Sequence, residues 1–116
     1  MRFAHTNIVA KDWKQLADFY ITVFDCRIKP PQRNLSGTWL DTANGVPNAK
    51  VEGIHLQLPG HGDNPPTLEI FTYDTMQSAP DILPNASCIT HIAFEVEDVK
   101  STLNKAFEHG AHALGQ

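Results

Sequence analysis

Ser87-Cys-Ile-Thr-His-Ile-Ala-Phe-Glu-Val-Glu-Asp98 alternates strictly, with Ile92, Phe94 and Val96 in one phase and His91, Ala93 and Glu95 in the other. A period of two over this length predicts a β-strand with one face in a core. Asp98 then caps a predicted helix over 98–109, whose apolar positions Val99, Leu103, Ala106 and Phe107 recur at helical spacing and which Gly110 ends. The same arrangement stands near the start of the chain. His5-Thr-Asn-Ile-Val-Ala-Lys-Asp12 also places a histidine seven residues ahead of a capping aspartate, and a helix follows. A shift of 86 positions lays His5 on His91, Asp12 on Asp98 and Ile28 on Leu114. The chain therefore reads as an internal repeat of a strand–helix unit, and each unit carries a histidine on the non-core face of its strand.

Outward from that repeat, the bounds on the chain exclude several classes. Its 116 residues fit one domain with a core that needs no disulfide or metal for stability. A net charge of -4, with no basic cluster, argues against nucleic acid or an anionic membrane as partner. Two cysteines, Cys26 and Cys88, fit a reducing compartment better than a secreted scaffold. No apolar run approaches a membrane span, and the N-terminus has no signal-like apolar region. A soluble cytoplasmic protein is the expectation.

In chain order, residues 2–9 form the first predicted strand, with Thr6, Ile8 and Ala10 in the core phase and Phe3, His5 and Asn7 opposite. Asp12 and Gln15 have the spacing of a capping box for a helix over 12–24, with Leu16, Phe19, Tyr20 and Val23 as its buried stripe. A short strand over 26–29 is expected to end at Pro30-Pro31, and Thr38-Trp39-Leu40 reads as another strand. Residues 51–58 and 67–73 are strands joined by a Gly/Pro-rich hairpin loop. Ile54, Leu56, Leu68 and Ile70 point to the core, and His55, Gln57, Glu69, Phe71 and Tyr73 to the other face. Residues 74–87, with Pro80 and Pro84, form a linker.

The candidate site is the set of residues on the face away from the core. His5 and His91 come from equivalent strands, and Glu69 is a carboxylate inside a strand, an expensive position unless paired or bound to a cation. Two imidazoles and a carboxylate are a usual donor set for a divalent transition ion. Each alone reads more simply as a hydrogen-bonded or solvated residue; their appearance together at repeat-related positions is what raises the metal reading. Asn7, Trp39, His55, Gln57, Phe71 and Tyr73 are the expected ligand-binding residues. His61, His109 and His112 read as solvated. Glu52 shares its phase with the core residues, and Glu95 sits near a strand end, so both stay outside the site. No catalytic residue is assigned.

His5 with the Asp12–Tyr20 helix start, Leu68-Glu69-Ile70, and Thr90-His91-Ile92-Ala93-Phe94-Glu95-Val96-Glu97-Asp98 together resemble the vicinal oxygen chelate superfamily. That superfamily includes glyoxalase I, methylmalonyl-CoA epimerase, extradiol dioxygenases, and the bleomycin- and fosfomycin-resistance proteins. The resemblance implies an α+β fold of tandem βαβββ modules, cupped in a mixed sheet with helices on the convex face. Module one would span 1–74, a linker 75–87, and an incomplete second module 88–116. It also implies metal ligands at His5, Glu69 and His91, with Ni, Co, Mn, Zn or Fe as the ion. A fourth ligand, usually Glu, belongs to strands beyond the first of the second module and has no counterpart before Gln116.

Three functions are compatible with that resemblance. The first is a metal-dependent isomerase or lyase acting on a small oxygenated substrate through an enediolate, which Glu69 favours. The runner-up is a metal-free small-molecule binding protein with Trp39, Phe71 and Tyr73 as apolar walls. Extradiol-type oxygenation comes third, because its carboxylate would lie in the absent strand. An unfinished second module leaves a sheet edge and a helix face open, so a homodimer is expected.

Overall fold

Asp12 ends the first strand and starts a helix: its backbone is extended, and its Oδ1 accepts the amide of Gln15 at 3.1 Å. In the computed structural model, which describes residues 1–115, this strand is β1 (His5–Val9) and the helix α1 (Trp13–Phe24). There follow β2 (Arg27–Ser36), α2 (Thr38–Asn44), β3 (Lys50–Gln57), β4 (Thr67–Tyr73) and α3 (Val99–Glu108). Among the described residues the fold is α+β, with one four-stranded mixed sheet and three helices. Two compact units divide it, Met1–Met76 and the chain from Gln77 onward.

The first unit holds the whole sheet, in the order β1-β4-β3-β2. The β1–β4 pair is parallel, and the β4–β3 and β3–β2 pairs are antiparallel. Helix α1 lies against β3 and β4, and Thr72 Oγ1 accepts the Trp13 amide at 2.9 Å, tying the helix start to β4. Ala17 and Val23 of α1, Ile54 and Leu56 of β3, and Leu68 and Ile70 of β4 are buried as the core. Each fully buried leucine or isoleucine contributes about 1.5–3 kcal/mol. The alternating phases in the sequence place the four strand residues correctly; in α1 the expected stripe contains Val23 but not Ala17, and its Leu16, Phe19 and Tyr20 are half-buried.

Two expectations are corrected in the middle of this unit. β2 does not stop at Pro30-Pro31 but continues to Ser36, with a register shift between Lys29 and Arg33 and a cis peptide between the prolines. Prolines are tolerated there because β2 is an edge strand and the shift leaves their missing amides out of the ladder. Thr38-Trp39-Leu40 is not a strand but the first turn of α2. Strand propensity is overridden by positive φ at Gly37 and Gly45 and by Asp41, whose carboxylate accepts the amides of Asn48 at 2.9 Å and Ala49 at 3.0 Å. Helix α2 then buries Leu40 with Ala49 and Val51, and Leu35, Phe71 and Tyr73 pack around them.

In the second unit, Asp98 caps α3 by accepting the Ser101 amide at 3.0 Å, and Gly110 follows with φ +98°. The alternating stretch that predicts a strand forms none at residues 88–97. Phe94 and Val96 are half-buried, as their phase requires, while Ile92 is 38 % exposed. The alternation is present without a ladder, and a strand needs neighbours to supply its hydrogen bonds. Val99, Leu103 and Phe107, four residues apart along α3, are exposed.

Candidate functional site

Directly opposed residues of neighbouring strands share a face, and alternate residues along a strand return to it. On the face away from α1, the register therefore builds rows across the sheet. One row runs Lys29, His55, Glu69, Asn7; the next runs Arg27, Gln57, Thr67, His5; on the other side lie Arg33, Gly53, Phe71, Val9 and then Leu35, Val51, Tyr73. The polar rows are flanked at one end by the apolar cluster beneath α2.

Glu69 is the centre of this face. His55 Nε2 lies 2.8 Å from its Oε2, Asn7 Nδ2 donates to its Oε1 at 2.8 Å, and His5 Nε2 lies 4.0 Å from the same Oε1. His55 and Glu69 are both largely shielded, with side-chain exposures of 15 % and 16 %, whereas His5 is open at 47 %. The rings of His5 and His55 meet edge to face with centroids 5.6 Å apart, and His55 meets Phe71 in the same way at 6.4 Å.

Burial holds the His55 imidazole below its ordinary pKa. Glu69 pulls the other way, while the positive charges of Arg33, His5 and Lys29 add to the depression. A neutral ring has one donor and one acceptor nitrogen. With Nε2–H directed at the carboxylate, Nδ1 is left to accept from the Thr67 hydroxyl at 3.0 Å. Both nitrogens are then satisfied, which explains how a histidine can sit inside a strand on a shielded face.

The expected site residues fall into three groups. His5, Asn7, His55 and Glu69 come together around one carboxylate, with Gln57 in the row alongside and Phe71 at its apolar border. Tyr73 belongs to the cluster under α2 and accepts from Asn44 Nδ2 at 3.3 Å; Trp39 is 59 % exposed on α2. His91 is an exposed residue of the second unit whose Nδ1 lies 3.3 Å from Thr90 Oγ1. Four polar residues of this face escaped the sequence reading: Thr67, Arg27, Lys29 and Arg33. Thr67 was legible as the residue opposite Gln57 once the hairpin was drawn, and Arg27 and Lys29 share a phase within the strand expected at 26–29, whereas Arg33 depends on β2 running on past the prolines.

Among the described residues, no group of three or more His, Cys, Asp or Glu side chains is arranged to hold a metal ion. The first unit offers two donors. His5 Nε2 and Glu69 Oε1 are 4.0 Å apart, wider than the roughly 3.4 Å that two donors at 2.0–2.2 Å span in a tetrahedral site, so an ion bonded to both would draw them together. His55 is no third donor, because its nitrogens are taken by Glu69 and Thr67. Its place, with that of Asn7, is behind the carboxylate, where hydrogen bonds fix a ligand's orientation. The residues fit an ion as half of a donor set. No helix among the described residues is long and apolar enough to cross a membrane.

Solved structures with the same fold include a glyoxalase family protein from Bacillus cereus, at a TM-score of 0.73 and 18 % identity over 100 % of this chain and 76 % of that one. A mutant of the genomically encoded fosfomycin resistance protein FosX from Listeria monocytogenes, complexed with Mn(II) and 1S,2S-dihydroxypropylphosphonic acid, aligns at 0.56 and 15 % identity. That alignment covers 96 % of this chain and 71 % of FosX. FosX with Mn(II) and sulfate aligns equally well, over 73 % of its length. No protein-family model and no curated protein matches the sequence.

Proposed function

We propose that this chain, whose fold is that of the vicinal oxygen chelate superfamily, is a glyoxalase- or epimerase-like isomerase or lyase acting on a small oxygenated substrate. The reading divides the chain into module one at 1–74, a linker at 75–87 and a partial module two at 88–116. His5 and Glu69 would hold a divalent ion, with His91 as the third donor. When bound, the ion supplies Lewis-acid stabilisation of negative charge on substrate oxygens, an effect of several kcal/mol.

The chain's own residues do the rest. His55 and Asn7 hold the Glu69 carboxylate in one orientation, so that Oε1 is presented toward His5. Gln57 offers an amide to a ligand oxygen from the adjoining row. Phe71, Tyr73 and Trp39 form an apolar border that limits water on one side of a bound ligand. The observation that carries this reading is the Glu69–His5 pair at 4.0 Å, backed by two donors that point at the carboxylate.

Metal analysis of the purified chain, after equilibration with Ni, Co, Mn, Zn or Fe(II), tests it. About one ion per chain is expected, held weakly because the donor set is short. His5→Ala, Glu69→Gln and His91→Ala should each abolish uptake without altering the far-UV circular dichroism spectrum. A metal-free binding protein is the second reading, favoured by the fact that both oxygens of Glu69 already meet donors. It prevails if the variants retain as much ion as the parent. In either case the active form we propose is a homodimer, in which a second copy covers the exposed apolar stripe of α3.

A further inference from the structure

The whole chain is acidic, with 13 Asp and Glu against 9 Lys and Arg, yet the sheet face away from α1 is not. Its polar rows and their neighbour bring Arg27, Lys29 and Arg33 onto one face, against the single carboxylate of Glu69. The period of two already puts these residues on one face, and the register shift brings two of them into neighbouring rows: Lys29 stands opposite His55 and Arg33 opposite Gly53, although four positions separate them in sequence. Among the described residues the ion pairs are those of Glu69 with the two histidines, so neither Lys29 nor Arg33 has a carboxylate partner.

Arg33 is half-buried, and Gly53 beside it has no side chain. A Cβ at Gly53 would overlap the Ile70 carbonyl and the Phe71 ring. The Phe71 ring therefore covers Gly53, and Arg33 stands at the end of that row beside it. A half-buried guanidinium with no carboxylate partner presents a fork of donors that matches a bidentate oxyanion. Glu69 lies two strands away from β2, roughly 10 Å at ordinary strand spacing, far enough that its charge does not occupy the same place.

We propose that Lys29 and Arg33 form an oxyanion-binding arm of this face, so that the ligand is a small oxygenated molecule bearing a carboxylate or phosphate-like group. The ligand lies across β3, its anionic end over Lys29 and Arg33 and its neutral oxygens toward His5 and Glu69. This names the substrate class for the function proposed above and rests on that reading only for the ligand's identity as substrate.

The test uses the full chain treated with a chelator, so that loss of the metal reading leaves it intact. Acetate and inorganic phosphate are titrated separately, with ethylene glycol as the neutral comparison, and amide chemical shifts are followed by NMR. At least one anion should perturb β2 and β3 amides saturably and ethylene glycol should not; which anion does so identifies the group. Lys29→Gln with Arg33→Gln should weaken binding about tenfold or more, the loss expected when charge-assisted hydrogen bonds are removed. Arg33→Lys, which keeps the charge, should recover part of it, and Lys105→Gln on α3 should match the parent. The proposal is overturned if neither anion perturbs β2, or if the double variant, folded by circular dichroism, binds as the parent does.

Discussion

The hydroxyl of Thr67 lies 3.0 Å from Nδ1 of His55, on the opposite side of the ring from the 2.8 Å contact between Nε2 and Glu69. Thr67 is itself buried, at 4 % exposure, so this hydroxyl has no water to fall back on. Its effect is to hold one tautomer of His55, with the proton on the nitrogen that faces the carboxylate.

Thr67→Val keeps the shape and removes the hydroxyl. We expect a loss of about 1–3 kcal/mol, because Nδ1 is left without a donor on a shielded face. Urea titration measures the loss, and the 15N shifts of the His55 ring should move from a single Nε2–H form toward a mixture of tautomers. An unchanged spectrum would remove Thr67 from the site.

The depressed pKa of His55 gives stability a direction with pH. Burial is the leading cause, and the folded protein resists a proton that the unfolded chain accepts near pH 6.5. Below that pH the unfolded state binds more protons, so this contribution to stability declines as pH falls from about 6.5 toward the folded pKa, then levels off. Unfolding curves between neutral and mildly acidic pH should show the decline, and His55→Gln should flatten it.

Asp41 closes the turn between α2 and β3 by accepting the amides of Asn48 and Ala49. Asp41→Ala should cost about 2–4 kcal/mol, the sum expected for two amides losing a charged acceptor. Amide hydrogen exchange should quicken first at residues 38–49 while the core of β3 and β4 stays protected. Uniform loss of protection would mean that α2 is no separate unit of stability.

Val99, Leu103 and Phe107 expose 71 %, 48 % and 42 % of their surface on one stripe of α3. Such a stripe, spaced four residues apart, is the pattern of a helix that packs against something. Light scattering at micromolar concentration should report a dimer, and Leu103→Lys with Phe107→Lys should shift it to monomer. A parent chain that is monomeric throughout would refute the pairing.

Much of the fold was legible in the sequence because period-two phases and caps are local signals. His5, Asn7, His55, Glu69 and Phe71 were all assigned to one face, and the sheet places them there. The strand expected at Thr38-Trp39-Leu40 does not form because the Asp41 carboxylate, which accepts the Ala49 amide eight residues on, decides that turn. Arg33 was hidden for a similar reason: the strand was expected to end at Pro30-Pro31, and only the ladder shows that β2 runs on past them with two residues taken up by the shift. The stretch at 88–97 shows the reverse case, where a strand's pattern exists without the neighbours that would make it one.

The edge position of β2 bears on aggregation. Pro30 and Pro31 give two successive positions with no amide hydrogen to offer, midway along an outer strand. A foreign strand cannot build a continuous ladder on that side, so the sheet is protected there against templated growth. The outer side of β1, which spans only five residues, carries no such interruption. Any sheet that continues into another chain would therefore be expected to grow from β1, and a proline placed at Asn7 or Val9 would be the substitution that guards the second border.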